Sequence, residues 1–253
     1  MKNAKIELRE LRTEREMNTN HDRSHYQIPT KNNIPKELFS ILEFADLLRN
    51  SPKLLHLPKT GQCQTVMVLP GYGTNDIIMK PLRLYLKFLG YNAIGWDLGE
   101  NDGNVPVLLE KVKNRIQQEY QKSNQKIYLV GWSLGGYIAR EAARENQDKV
   151  FKVITLGSPV IGGPKYTAIG DLYSKKFAIR LDELEREIDE RFQVPLEIPV
   201  VSIYSKKDNI VSWNSSQDIY SPNATNLEVN STHLGLVGNY EVYLLLAKEL
   251  GQG

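Results

Sequence analysis

An α/β fold built on a mostly parallel sheet of about six strands, with helices on both faces, is what this 253-residue sequence predicts. Two observations carry that expectation. Short apolar runs recur at Thr65–Leu69, Asn92–Trp96, Lys126–Val130, Val150–Leu156, Val200–Tyr204 and Ala224–Val229, and helical periodicity fills most of the intervals between them. The runs are also close to continuously apolar rather than alternating, as strands covered on both faces must be.

Taken in order, residues 1–30 carry six basic and five acidic side chains and too few apolar ones for a buried face. They read as a polar, flexible N-terminal extension, with the folded domain over 31–253. The first helix is expected from Pro35, a favoured first helical residue, to Asn50, with Ser51-Pro52 as its stop. Leu38, Ile41, Leu42, Ala45 and Leu48 fall on one helical stripe, which Phe39, Phe44 and Leu47 widen. That stripe suits a helix packed on the domain, or one that roofs an apolar site or touches lipid.

Further helices are expected around Leu82, Leu86 and Leu89, closed by Gly90, and around Leu109, Val112, Ile116 and Tyr120 from near Pro106. A last one runs from Asn239 to Gly251 with Val242, Leu245 and Leu246. One connection breaks the rhythm: about forty residues without a strand signal separate Gly157-Ser158-Pro159 from Val200. Within it Asp182–Phe192 is apolar only at Leu184, Ile188 and Phe192, so a helix there can bury no more than a thin line. Long connections of this kind are often lids, and residues 161–196 are expected to form a small helical cap; a peripheral insertion is the alternative.

Composition excludes several classes of function. Lys and Arg number 32 against 30 Asp and Glu, a net charge of +2, which leaves no electrostatic footprint for nucleic acid. One cysteine, Cys63, excludes a disulfide framework or a multi-cysteine zinc site and reads as a small buried or half-buried hydrophobe. No apolar run approaches the roughly 20 residues of a membrane span, and the N-terminus lacks a signal-peptide core. The expectation is a cytoplasmic chain without a transmembrane segment.

The chemistry centres on Lys126–Arg144. An apolar strand, Ile127-Tyr128-Leu129-Val130, turns through Gly131-Trp132-Ser133-Leu134-Gly135-Gly136 into a helical pattern on Ile138, Ala139, Ala142 and Ala143. A turn that sharp needs glycines beside its apex, and it presents the Ser133 hydroxyl at a helix N-terminus. Serine is a weak nucleophile without a base, and the base needs an orienting acid. Of four histidines, His21 and His25 lie in the polar extension and His56 precedes the first clear strand; His233 follows the last strand directly. Asp208 lies just beyond the strand Val200–Tyr204, whereas the rival Asp218 is further from a strand end and Glu228 sits inside a strand pattern. The order Ser133, Asp208, His233 is the one a strand–serine–helix elbow requires. Charge developing on an attacked carbonyl oxygen needs fixed donors, which the backbone N–H groups of Leu134 and of Tyr72, in Pro70-Gly71-Tyr72-Gly73, could supply. No G-x-G-x-x-G or phosphate-loop lysine competes for that glycine-rich loop, and no metal or organic cofactor is called for.

The segments LPGYGTND, GWDLGENDGNVP, LVGWSLGGYIAREAAR and VITLGSPVIGGP, with the Asp208 and His233 loops, resemble bacterial lipase/esterase-type serine hydrolases of the α/β-hydrolase superfamily from about Leu54 onward. The resemblance implies the strand order 4-3-5-6-7-8 in the superfamily's usual numbering, with the strands that precede the oxyanion loop reduced or absent. It implies Ser133 as nucleophile, His233 as base, Asp208 as its partner, and Tyr72 and Leu134 as oxyanion donors. The loop opens Pro70-Gly71 where His-Gly is common, so a histidine side-chain contribution is lost. The activity implied is hydrolysis of carboxylic esters with an apolar or lipid-like part through an acyl-enzyme. Acyl transfer or thioester cleavage would use the same groups, and a non-catalytic binding module could share the fold. The expected partner is a small-molecule ester or lipid, with peripheral lipid contact as an option and no nucleic acid.

Overall fold

The structure, a computed structural model, describes residues 23–252. Six strands, β1 (Thr65–Leu69), β2 (Asn92–Gly95), β3 (Ile127–Trp132), β4 (Val150–Leu156), β5 (Val200–Tyr204) and β6 (Ala224–Glu228), form one sheet in the order β2-β1-β3-β4-β5-β6. Every neighbouring pair is parallel. That is the order implied by the family resemblance, beginning at its third strand.

Helices cover both faces, as near-continuous apolar strands demand. Val66 and Val68 of β1 point to one layer, built with α2 (Lys80–Phe88) and α7 (Tyr240–Leu250); Met67 and Leu69 point to the other, built with α3 (Val105–Ser123) and α4 (Leu134–Arg144). α4 is buried from Leu134 to Ala143, because Gly135, Gly136, Ala139, Ala142 and Ala143 allow its backbone close approach. Arg140, within that buried stretch, is matched inside by Asp218 at 2.8 Å and Glu141 at 3.0 Å.

The N-terminal segment departs from expectation. A 3-10 stretch, Lys31–Phe39, carries Pro35 in its middle and leads into α1 (Ser40–Leu55). α1 does not stop at Ser51-Pro52. Proline offers no N–H to the Leu48 carbonyl, and the Ser51 hydroxyl donates to that carbonyl instead at 2.8 Å, so the helix runs on to Leu55. α1 packs on the domain through a different face from its apolar stripe: Leu47, Leu54 and part-buried Phe44 face inward, while Leu38, Ile41, Leu42 and Leu48 are 65–74% exposed. The inward face is partly polar, and Glu37 is only 2% exposed.

Residues 1–22 of the expected extension lie outside the described residues. Further on, Arg23 reaches Glu185 and Asp189 at 2.7 Å each and donates to the Tyr220 hydroxyl at 3.0 Å. The connection after β4 holds a 3-10 turn, Gly163–Tyr166, then α5 (Gly170–Phe177) and α6 (Leu181–Arg191). Ile188 of α6 is buried, with Leu184 and Phe192 part-buried beside it, the thin line read from the sequence. Cys63 is exposed rather than buried, because it occupies a turn at φ +62° just before β1. No helix among the described residues is long and apolar enough to cross a membrane.

Candidate active site

The carboxyl ends of β1, β3, β5 and β6 bring the sequence-predicted residues to one edge. Ser133 sits between β3 and α4 at φ +54°, a conformation that side chains rarely adopt and that a packed surrounding must impose. The glycines explain how. A Cβ at Gly131 would lie 2.4 Å from the Gly136 Cα, and one at Gly135 would lie 2.4 Å from the Pro70 carbonyl oxygen. The elbow closes only because both positions lack a side chain.

His233 lies between its two expected partners. Its Nε2 is 3.0 Å from Ser133 Oγ and its Nδ1 is 2.6 Å from Asp208 Oδ2. A carboxylate can only accept there, so the neutral ring carries its proton on Nδ1 and leaves Nε2 to accept from the serine hydroxyl. The other oxygen of Asp208 takes the backbone N–H groups of Ile210 at 2.8 Å and Val211 at 2.7 Å. The Trp132 indole donates to the His233 carbonyl at 3.1 Å and fixes the histidine backbone. Burial alone would push the imidazole pKa down; the adjacent Asp208 carboxylate and the charge of Glu37 outweigh it and hold the pKa above its ordinary value.

The rival acids lie elsewhere. Asp218 is paired with Arg140, whose positive charge overcomes the cost of burial and holds the carboxyl below its ordinary pKa. Glu228 pairs with Lys206 at 2.8 Å on the surface.

The loop after β1 lies against the elbow: a Cβ at Gly71 would come within 2.9–3.1 Å of Trp132 and Ser133 side-chain atoms. Backbone N–H groups of Tyr72 and Leu134 donate to no acceptor among the described residues. The loop's shape is held by Asn101, which is buried and which sequence reasoning did not single out. Its side-chain amide donates to the Pro70 carbonyl at 2.9 Å, and its backbone carbonyl accepts from Gly73 N–H at 2.8 Å.

Two more acids were missed. Glu37 accepts from the backbone N–H of Asn209 at 3.1 Å, its side-chain amide at 3.0 Å and the backbone N–H of Leu234 at 2.7 Å. Glu43 accepts from Thr232 N–H and Oγ1, each at 2.8 Å, from Ser231 Oγ at 2.5 Å and from Asn239 Nδ2 at 2.8 Å. Local sequence patterns could not reveal them, since each partner is more than 170 residues away along the chain.

Beside Ser133 opens a cavity of about 210 Å³. Its walls are mainly apolar, and Ile169, Tyr173, Ile179, Leu184 and Ile188 of that lining come from the segment between β4 and β5. Tyr173 is tied back to the body by donating its hydroxyl to the Gly103 carbonyl at 2.8 Å. No cluster of metal-ligating side chains occurs among the described residues.

Residues 44–172 match the family described as the alpha/beta hydrolase fold, and the chain belongs to that family. It is similar to a pimeloyl-[acyl-carrier protein] methyl ester esterase from Photobacterium profundum, 24% identical over 54% of this chain and 52% of that protein. A second protein of that name, from Shewanella woodyi, is 30% identical over 41% of this chain and 40% of its own length. The chain thus spans about half or less of the length of these two relatives. Palmitoyl-protein thioesterase ABHD10 from Bos taurus is 25% identical over 73% of this chain and 68% of its own. Among solved structures, an alpha/beta hydrolase enzyme from the metagenome of lagoon sediments of Mar Chica, Morocco, shares the fold at a TM-score of 0.58 and 18% identity, covering 76% of this chain and 92% of that one.

Proposed function

We propose that the protein is a serine hydrolase that cleaves carboxylic esters with an apolar acyl or lipid-like part. One observation carries this reading: His233 bridges Ser133 Oγ and Asp208 at 3.0 and 2.6 Å, beside a largely apolar cavity. In the proposed reaction, Ser133 Oγ attacks the ester carbonyl carbon as its proton passes to His233 Nε2. The carbonyl oxygen becomes an oxyanion stabilised by the N–H groups of Tyr72 and Leu134. The C–O bond to the alcohol breaks, and the alcohol departs with the proton from Nε2. Water then gives a proton to Nε2 and attacks the acyl carbon, the bond from that carbon to Ser133 Oγ breaks, and Oγ takes the proton back from Nε2 as the carboxylic acid leaves. Asp208 holds the Nδ1 proton in place and stabilises the imidazolium throughout.

A thioester is the second reading, favoured by the likeness to a palmitoyl-protein thioesterase over 73% of the chain. The same groups serve it, with a thiol as leaving group. A panel of aryl esters graded by acyl length, run beside an acyl thioester, tests both. Preference for medium or longer acyl chains is expected; turnover confined to acetate, or no turnover at all, counts against the reading.

Two outcomes follow for that panel. His233 acts as a base only when neutral, and its pKa lies above the ordinary value. The acid limb of kcat/KM is therefore expected to have its midpoint above about 6.5, the usual imidazole value. A midpoint below that value would mean that burial outweighs the Asp208 and Glu37 charges at His233. Residues 161–196 are proposed to act as a cap that shapes the acyl site. Filling the cavity from α6 by Leu184→Trp should raise KM for long-chain esters on the order of tenfold and leave short-chain turnover within about threefold. Equal effects on all chain lengths would remove the cap from the acyl site.

A further inference from the structure

Glu37 and Glu43 are not used by the proposed reaction, yet both lie directly beneath the loops that would carry it out. Asn209 follows Asp208 and Leu234 follows His233, so the three donors on Glu37 join the acid's loop to the base's loop through one carboxylate. Glu43 gathers four donors from Ser231, Thr232 and Asn239, and so fixes the approach to His233 from the other side. Gly235 makes room for it: a Cβ there would lie 2.3–2.4 Å from the Glu43 carboxylate.

We propose that Glu37 and Glu43 are positioning residues: Glu37 sets the separation of the Asp208 and His233 loops, Glu43 fixes the path of the His233 loop, and together they hold His233 within reach of Ser133. The inference rests on the serine-hydrolase reading. Burying a carboxylate is unfavourable unless its oxygens are satisfied, and an apolar residue could fill the same space without that cost. What an apolar residue cannot do is fix two loops from different strand ends in register. All three groups on Glu37 are N–H donors and they occupy both of its oxygens, so glutamine cannot substitute there: its own amide must face one of them.

Glu37 has a second effect. The charged groups that bear on the His233 ring are Asp208, from the loop after β5, and Glu37, from the N-terminal segment; Glu43 lies behind the preceding residue, Thr232. Negative charge favours the imidazolium, so loss of the Glu37 charge lowers the His233 pKa. A brace of purely structural value would not move it.

The test measures Glu37→Gln in the full chain by steady-state kinetics on a short aryl ester and by NMR titration of His233, assigned with His233→Ala. On the order of tenfold to a hundredfold loss in kcat is expected, as for a misplacement of about an ångström, with KM within about threefold. The His233 pKa and the acid limb should both fall to lower pH. Thr232→Val removes one donor to Glu43, together with the acceptor of the Gly235 N–H, at nearly constant shape and should lower kcat by about threefold to tenfold; it supplies the test where Glu37→Gln does not fold. A folded Glu37→Gln protein with kcat within twofold of the parent and an unmoved His233 pKa overturns the proposal, and so does unchanged kcat in Thr232→Val. Loss of activity only in proportion to lost folded protein overturns it as well. Failure of the parent to react with a fluorophosphonate would instead sink the hydrolase reading, while the NMR titration still reports the coupling of Glu37 to His233.

Discussion

Replacing Ser133 by alanine is expected to lower kcat on an aryl ester by about a millionfold, with the fold retained. The substitution removes one oxygen, and alanine occupies φ +54° no less readily than serine, so the elbow held by Gly131 and Gly135 has no reason to relax. What survives is the stabilisation offered by Tyr72, Leu134 and the cavity, on the order of a thousandfold to ten-thousandfold over water. Circular dichroism and a thermal melt establish that the variant is folded, and single-turnover assays at high enzyme concentration reach the residual rate. Activity within a few fold of the parent would assign the chemistry to another group.

The second large effect is expected at Asp208. Asp208→Asn should cost about ten-thousandfold in kcat, and the hydrogen bonds give the reason. Oδ1 accepts the N–H groups of Ile210 and Val211, so an asparagine must keep its carbonyl on that side. Its amide then faces His233 Nδ1 and donates to it. The ring proton is driven to Nε2, which points at Ser133 and can no longer accept a proton. Asp218→Asn serves as the contrast. It leaves buried Arg140 short of a counter-charge and should destabilise the fold by about 3–5 kcal/mol, with activity per folded molecule unchanged. The reverse pattern, a normal Asp208→Asn and a catalytically dead but folded Asp218→Asn, would make Asp218 the working acid.

The sequence conveyed the sheet and the meeting point of its loops better than it conveyed what holds them. Apolar runs such as Val150–Leu156 and Val200–Tyr204 coincide with strands because a buried parallel strand leaves a purely local signature. The elbow is equally local, since Gly131, Ser133 and Gly135 lie within five residues of one another. That His233 and Asp208 lie at strand ends follows from spacing; that the two side chains meet at 2.6 Å is a property of tertiary packing. The N-terminal helix defeated pattern reading for a physical reason. Periodicity predicts which residues could be buried together, and here polar Glu37, Ser40 and Glu43 outcompete Leu38, Ile41 and Leu42 for the inner face, because the loops beneath present unpaired donors. Pro52 carries the sequence signature of a stop, yet the hydroxyl that replaces its missing N–H belongs to its own neighbour, Ser51, a compensation that helix rules do not count. Asn101 acts through backbone groups about thirty residues away and has no pattern of its own.

The central claim is that Ser133 is a nucleophile activated by His233. Its most direct test is intact-protein and peptide mass spectrometry after exposure to a fluorophosphonate. The account predicts a single phosphonyl adduct on the peptide that contains Ser133, formed at a rate that rises with pH along the same acid limb as ester turnover, and absent from Ser133→Ala and His233→Ala. No adduct on a folded parent protein, or an adduct on another residue with Ser133 untouched, would contradict it.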